Sequence, residues 1–224
     1  MSLALGPEIL AHLVPVRRLE ERRGHRPSGI ALLDEILGGG WPRAALAELR
    51  GRRSSGRTAI LYASLACSMD TGQTVALVDA GGALDPRSAE AAGIVLPRLL
   101  WIRSAPSQSL KAADLLVGAG GFDLVALDLG DDRPRAPTAA WIRLQHGAER
   151  QGTTIVVATP APAAGSCAAA AVELSPSAPS FGGASSSAAW FAGLRAEARL
   201  VRSKHELFPE GNARCAWLAF SHRG

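Results

Sequence analysis

Residues 51–58 read Gly-Arg-Arg-Ser-Ser-Gly-Arg-Thr, the spacing of a loop whose backbone amides face phosphate. Gly51 and Gly56 permit the tight turn, Ser54 and Ser55 lie between them, and Thr58 stands where a hydroxyl faces magnesium. Such loops carry a lysine whose compact ammonium threads between the terminal phosphates. Here Arg57 keeps the charge but presents a wider planar fork that prefers paired acceptors. A degenerate nucleotide site is expected, with weak ATP and magnesium binding, no required cofactor and no dedicated metal centre. Asp128 closes the apolar run 122–128, where a carboxylate would orient magnesium through water. A capping or turn aspartate would read the same way. With no water-activating carboxylate evident, no catalytic residue is expected.

A phosphate loop needs a strand before it and a helix after it. Residues 44–50 supply the strand, and the pattern after Gly56 is helical, with Ile60, Leu61, Leu65 and Met69 placed to pack on a sheet. The stretches 74–79, 99–102, 124–128 and 154–159 are continuously apolar, as in strands covered on both faces. Helical patterns near 85–92, 108–118 and 138–151 alternate with them. This order predicts an α/β fold, a mostly parallel central sheet flanked by helices. Upstream, Ser28 is expected to cap a helix carrying Ile30, Leu33 and Leu37, which the glycines at 38–40 should end.

Beyond Thr159 the composition shifts. Residues 160–190 are rich in Ala, Ser, Gly and Pro, and only 171–174 suggest a short strand; the rest lacks the large apolar groups that fix a packed element. Residues 195–202 and 214–220 predict a C-terminal antiparallel hairpin at the sheet edge, turning at 209–212. The expected organisation is an N-terminal helix and linker over 1–27 and a core over 28–160. Residues 161–224 would form a low-complexity connector and then a core extension or partner-binding segment.

The 224 residues are 47% hydrophobic and 20% charged with a formal charge of +4, a balance that favours a globular chain over a disordered one. Cys67, Cys167 and Cys215 are too widely spaced for a disulfide framework or a metal cluster. No stretch approaches about 18 uninterrupted apolar residues, so a cytoplasmic protein without membrane contact is expected. Arginine dominates the cations. Candidate phosphate contacts to DNA are Arg17, Arg18, Arg22, Arg23 and Arg26 near the start, and Arg195, Arg199, Arg202 and Lys204 near the end. A solvated surface explains them equally well. Candidate partner anchors are Leu194, Leu200, Val201, Leu207, Phe208, Trp217 and Phe220, although completion of the sheet would use the same residues. A second candidate stripe, Ile9, Leu10, Leu13 and Val14, suits either a partner groove or the chain's own core.

Three longer stretches carry a resemblance: Ser-Gly-Ile-Ala-Leu-Leu-Asp-Glu-Ile-Leu-Gly-Gly-Gly-Trp-Pro-Arg at 28–43, Val-Asp-Ala-Gly-Gly-Ala-Leu-Asp-Pro at 78–86, and the run 122–128. With these the chain resembles the RecA recombinase superfamily over roughly residues 25–160, and more loosely at 199–204. It is most similar to the ImuA class of translesion synthesis accessory proteins. The resemblance implies a RecA-like phosphate-loop core and gives meaning to its departures. Gly81 stands where an active recombinase would place its water-activating glutamate, and Thr159-Pro160 stand where the family carries asparagine and glutamine. The segment that follows lacks the basic and aromatic pattern of a DNA-binding loop.

The implied function is that of a non-catalytic accessory protein in SOS-associated mutagenic translesion DNA synthesis. Its partners would be an inactive Y-family polymerase-like protein and an error-prone replicative-type DNA polymerase, with the RecA recombinase as a further partner. Weak DNA contact and nucleoid association at damaged DNA would accompany assembly. The alternatives are a partner-dependent DNA-repair ATPase and a regulator of a recombinase or of cell division.

Overall fold

The structure, a computed structural model, describes residues 24–131, 136–182, 190–204 and 215–221. Arg17, Arg18, Arg22, Arg23, Leu207, Phe208, the 9–14 stripe and the turn at 209–212 lie outside the described residues.

The chain enters through β1 (His25–Arg26), which pairs antiparallel with β2 (Trp41–Pro42), the two strands bracketing α1 (Ala31–Leu37). The alternation that follows is β3 (Leu46–Gly51), α2 (Arg57–Asp70), β4 (Val75–Asp79), α3 (Pro86–Ala91), β5 (Leu99–Arg103) and α4 (Ser109–Ala119). Then come β6 (Leu124–Asp128), α5 (Thr138–Gln151), β7 (Thr154–Thr159), β8 (Ala170–Gly182), β9 (Trp190–Ser203) and β10 (Cys215–Ser221). One eight-stranded sheet runs β10-β9-β8-β3-β7-β6-β4-β5. It is parallel from β8 to β5 and antiparallel through β8, β9 and β10, the expected mostly parallel sheet with a C-terminal hairpin.

Apolar residues at both parities of each central strand force cover on both faces. Leu77, Ala126 and Val156 pack with α1 and α2, while Val78, Leu127 and Val157 pack with α4 and α5. Trp41, fully buried, donates its indole N–H to Ser64 Oγ at 2.9 Å and so fastens the small ribbon to α2.

Two local expectations need correction. The residue capping α1 is Ile30, not Ser28. Ser28 lies two residues too early. Its Oγ accepts the Ile30 N–H at 3.2 Å and its own N–H donates to Asp34 Oδ1 at 2.7 Å, which orders the approach to the helix instead. Gly29 makes that approach at φ +80°, with its α-carbon so close to the Ala63 carbonyl that a Cβ would lie 2.7 Å from the oxygen.

The second correction concerns 160–190, where β8 runs for 13 residues. Backbone ladders supply what side-chain bulk does not. Ala170–Leu174 pair with β3, and the remainder pairs with β9 through register shifts, one of them between Pro176 and Ala178. Proline, which cannot donate to a ladder, belongs at such irregular points.

Leu200, a candidate partner anchor, is instead 3% exposed in the core beside α1. Arg26 also departs from expectation: it is buried and its Nη2 meets Asp123 Oδ1 at 3.1 Å, so the cation is committed within the fold. Arg26→Ala should cost about 1.5–3 kcal/mol of stability through loss of this charge-assisted bond, read by urea unfolding. DNA affinity of the folded variant, read by fluorescence anisotropy, should match that of the unsubstituted protein; a clear loss would return Arg26 to the list of phosphate contacts.

Candidate phosphate site

The site is built where β3 ends. From Gly51 the chain turns through Arg52–Ser55, with Ser54 at φ +60° and Gly56 at φ +93°, and α2 begins at Arg57. The close packing of this turn is visible at Gly51, where a Cβ would lie 2.4 Å from Ser55 Oγ. Ile60 donates the first bond of α2, to Gly56 O at 3.1 Å, so the preceding amides remain at a positive helix end suited to an anion. Ser55 is 1% exposed and its Oγ has no partner among the described residues.

These residues form one wall of a cleft of about 1120 Å³. Gly81, Asp128, Gly130 and Asp131 line another side, and Ile30, Tyr62, Pro176, Pro179 and Leu194 give it apolar surface. Tyr62 donates weakly to Ala83 O at 3.5 Å, and burial pushes its phenol up to about 12.

Arg57 is buried, with its guanidinium turned across to the loop after β6, donating to Gly130 O at 3.0 Å and to Asp131 Oδ1 at 3.0 Å. Arg53, from the same phosphate loop, reaches Asp131 Oδ2 at 2.8 Å. Asp128 spends Oδ1 on the Gly130 N–H at 2.8 Å. Burial raises its pKa, while the Gly130 amide and the Arg57 charge oppose that shift. In register beside it, Asp79 accepts from the Ala83 and Leu84 amides at 3.0 and 3.2 Å and from the Trp101 indole at 3.3 Å.

Gly81 lies against Gly130. A Cβ at 81 would stand 2.8 Å from the Gly130 α-carbon and 3.7 Å from Asp128 Oδ1, so the backbone of the neighbouring loop closes the position where the resemblance places a glutamate. Pro160 borders a separate hollow of about 280 Å³ with Arg50, Arg52 and Glu173. The loop after β7 is tied inward by Glu48, fully buried, whose carboxylate accepts the Ala163 and Ala164 amides and pairs with Arg50.

Nucleotide-type ligands can therefore be considered in two parts. The loop backbone, the helix end and the orphaned Ser55 hydroxyl fit a phosphate anion. On the magnesium side Thr58 lines the cleft, while Asp128 is buried and holds the Gly130 amide through Oδ1.

Other sequence candidates are dispersed. Arg195 and Arg199 are exposed on β9, alternating with buried Ala196, Ala198 and Leu200, and Lys204 is exposed just beyond the strand. Arg202 donates to Gly165 O at 2.8 Å. Val201 is 38% exposed, whereas Leu194 borders the cleft. Trp217 and Phe220 pair in register with Glu197 and Leu194. Sequence reasoning missed Asp79 and Asp131. Asp79 ends an apolar strand just as Asp128 does, a signal that was available, while nothing local marks Asp131 as the partner of a residue 74 positions earlier.

A parallel α/β sheet with a glycine-bounded phosphate loop between β3 and α2 and an aspartate at the end of β6 defines a phosphate-loop nucleotide-binding fold. The RecA N-terminal domain family matches residues 17–136, more than half of the sequence, and the chain belongs to that family. Its relatives include the RecA proteins of Francisella tularensis subsp. novicida strain U112, subsp. tularensis strain WY96-3418 and subsp. holarctica strain LVS. Each is 42% identical over 104 residues, covering 46% of this chain and 29% of the relative. The match thus spans less than a third of those proteins' length. Among the described residues no helix is long and apolar enough to cross a membrane.

The raised Asp128 pKa gives a signed prediction. The folded state holds this proton more tightly than the unfolded chain, so the stabilisation is present below the unfolded value and is lost as pH rises through the folded one. Asp128→Asn keeps an acceptor for the Gly130 amide and removes the buried charge. Its Tm should exceed that of the unsubstituted protein at neutral pH, and the difference should shrink towards about pH 4, the ordinary aspartate value.

Proposed function

We propose that this chain is a non-catalytic RecA-like accessory protein of DNA repair, acting as an assembly scaffold in SOS-associated mutagenic translesion synthesis. The observation that carries the non-catalytic part is the closure of Gly81 against Gly130, which leaves no room for a water-activating side chain. Arg57, committed to Gly130 and Asp131, and Pro160, which cannot offer an amide side chain to a phosphate, point the same way. Hydrolysis needs a positioned water and a clamped terminal phosphate together. Neither ATP nor magnesium is required by this reading.

The partners follow from the resemblance: an inactive Y-family polymerase-like protein, an error-prone replicative-type DNA polymerase and the RecA recombinase. The exposed face of β9 with Arg195 and Arg199, and Val201 beside it, is the proposed contact surface, with DNA as a weak and salt-sensitive accessory ligand. The protein would work in the cytoplasm and join the nucleoid at damaged DNA. A partner-dependent ATPase is the second reading, favoured by the retained cleft of about 1120 Å³.

Quantitative co-purification with each candidate partner tests the scaffold. Surface substitutions are the right probes, because removing β9 and β10 would uncover the face on which α1 packs. Combined Arg195→Glu and Arg199→Glu should weaken binding of the polymerase-like partner about tenfold, equivalent to about 1.4 kcal/mol, without shifting Tm by more than a degree or two. ATP turnover with magnesium and single-stranded DNA should stay at background, also in Arg57→Lys combined with Gly81→Glu. Turnover that appears when one purified partner is added would favour the second reading.

A further inference from the structure

Two guanidinium groups of the phosphate loop converge on one carboxylate that belongs to another loop. Asp131 holds Arg57 through Oδ1 at 3.0 Å and Arg53 through Oδ2 at 2.8 Å. Arg57 is 9% exposed and needs a counter-charge within the fold, whereas Arg53, at 86% exposure, is held only loosely. A carboxylate with two oxygens presented to arginine forks offers the recognition pattern of a phosphate group. The same turn carries the buried, unpartnered Ser55 Oγ and leads into the amides of residues 57–59, which precede the first bond of α2 at Ile60. Asp131 itself is 44% exposed at the rim of the cleft, so it can leave without disturbing the core.

The geometry points to Asp131 as an internal anion that occupies the arginines of the phosphate loop, so that the cleft takes a polyphosphate chain by exchange for this carboxylate and without magnesium. This rests on reading residues 51–58 as a phosphate site and is independent of the proposed partners. A bare polyphosphate meets Arg57, Arg53, the α2 amides and Ser55 in place of the carboxylate. Magnesium would neutralise the charge that drives the exchange, and Asp128 is buried and holds the Gly130 amide.

The test uses the full chain, inorganic triphosphate and ATP in EDTA, and isothermal titration. Asp131→Asn should bind both probes at least tenfold more tightly than the unsubstituted protein, and adding Arg57→Gln should remove the gain. Equal gains for the two probes assign recognition to the phosphate chain alone; a larger gain for ATP adds the nucleoside, and either result supports exchange. Thermal unfolding provides a second readout: Asp131→Asn should melt lower without ligand, because Arg57 has lost its counter-charge, and should recover more on adding triphosphate than the unsubstituted protein does. In the unsubstituted protein, whatever binding is measured should persist in EDTA. No tightening in Asp131→Asn, or binding that appears only with magnesium, overturns the proposal. Turnover is assayed separately, so ATP hydrolysis would defeat the non-catalytic reading while leaving the exchange result standing.

Discussion

The strands β3, β7, β6 and β4 are apolar on both faces, so helices must cover both, and parallel connections bring all their carboxyl ends to one edge of the sheet. Gly51, Asp79, Asp128 and Thr159 close these strands. Their chemistry is thus crowded by topology alone: Asp79 and Asp128 stand side by side in register, one strand apart. Two adjacent carboxylates at a buried edge repel each other unless their charge is spread over donors. Backbone amides do this for both, with the Trp101 indole added at Asp79. The remaining imbalance shows at Asp128, whose pKa rises chiefly through burial.

Against this acidic edge the phosphate loop sets arginines, and the two neutralise one another within the chain. Arg57 bridges the start of α2 to the loop after β6, and the same loop closes over Gly81. The two features reinforce each other. A guanidinium needs acceptors in its own plane, which Gly130 O and Asp131 provide, and the approach of Gly130 that supplies one of them also fills the space beside Gly81. A lysine in place of Arg57 would lack that planar pair. The cleft is therefore a site whose charges are satisfied within the chain.

How much of this was legible depended on how far the relevant partner lies along the chain. The central strands and their helices were readable because periodicity and continuous apolar runs are local, and strands 124–128 and 154–159 begin and end where the pattern does. The phosphate loop was readable from spacing. Arg26 was misread because its partner, Asp123, is 97 residues away, and Leu200 because alternation along β9 does not say which face α1 will cover. The length of β8 was hidden by its small residues and prolines. Its stability comes from ladders to β3 and β9 that no composition count registers. The closure of Gly81 by Gly130 was likewise invisible, since it joins the ends of two strands that only the sheet makes neighbours.

The antiparallel extension bears on which kind of molecule the proposed contact surface would meet. One row across the sheet places Arg50, Glu173 and Arg199 next to one another, and the next charged residue on β9 is Glu197. Positive and negative groups alternate, so the field above this face cancels within a few ångströms. Nucleic acid binding draws on the opposite design, a stripe of one sign that displaces counterions along a phosphate backbone. A mosaic of charges instead favours a partner bearing the complementary mosaic, since each misplaced like-charge pair penalises a wrong match. This supports a protein, rather than DNA, as the principal occupant of that face. The polyphosphate chemistry then belongs to the opposite end of the argument: it is confined to the loop before α2, where arginines stand without interleaved acids except the one carboxylate that reaches in from another loop.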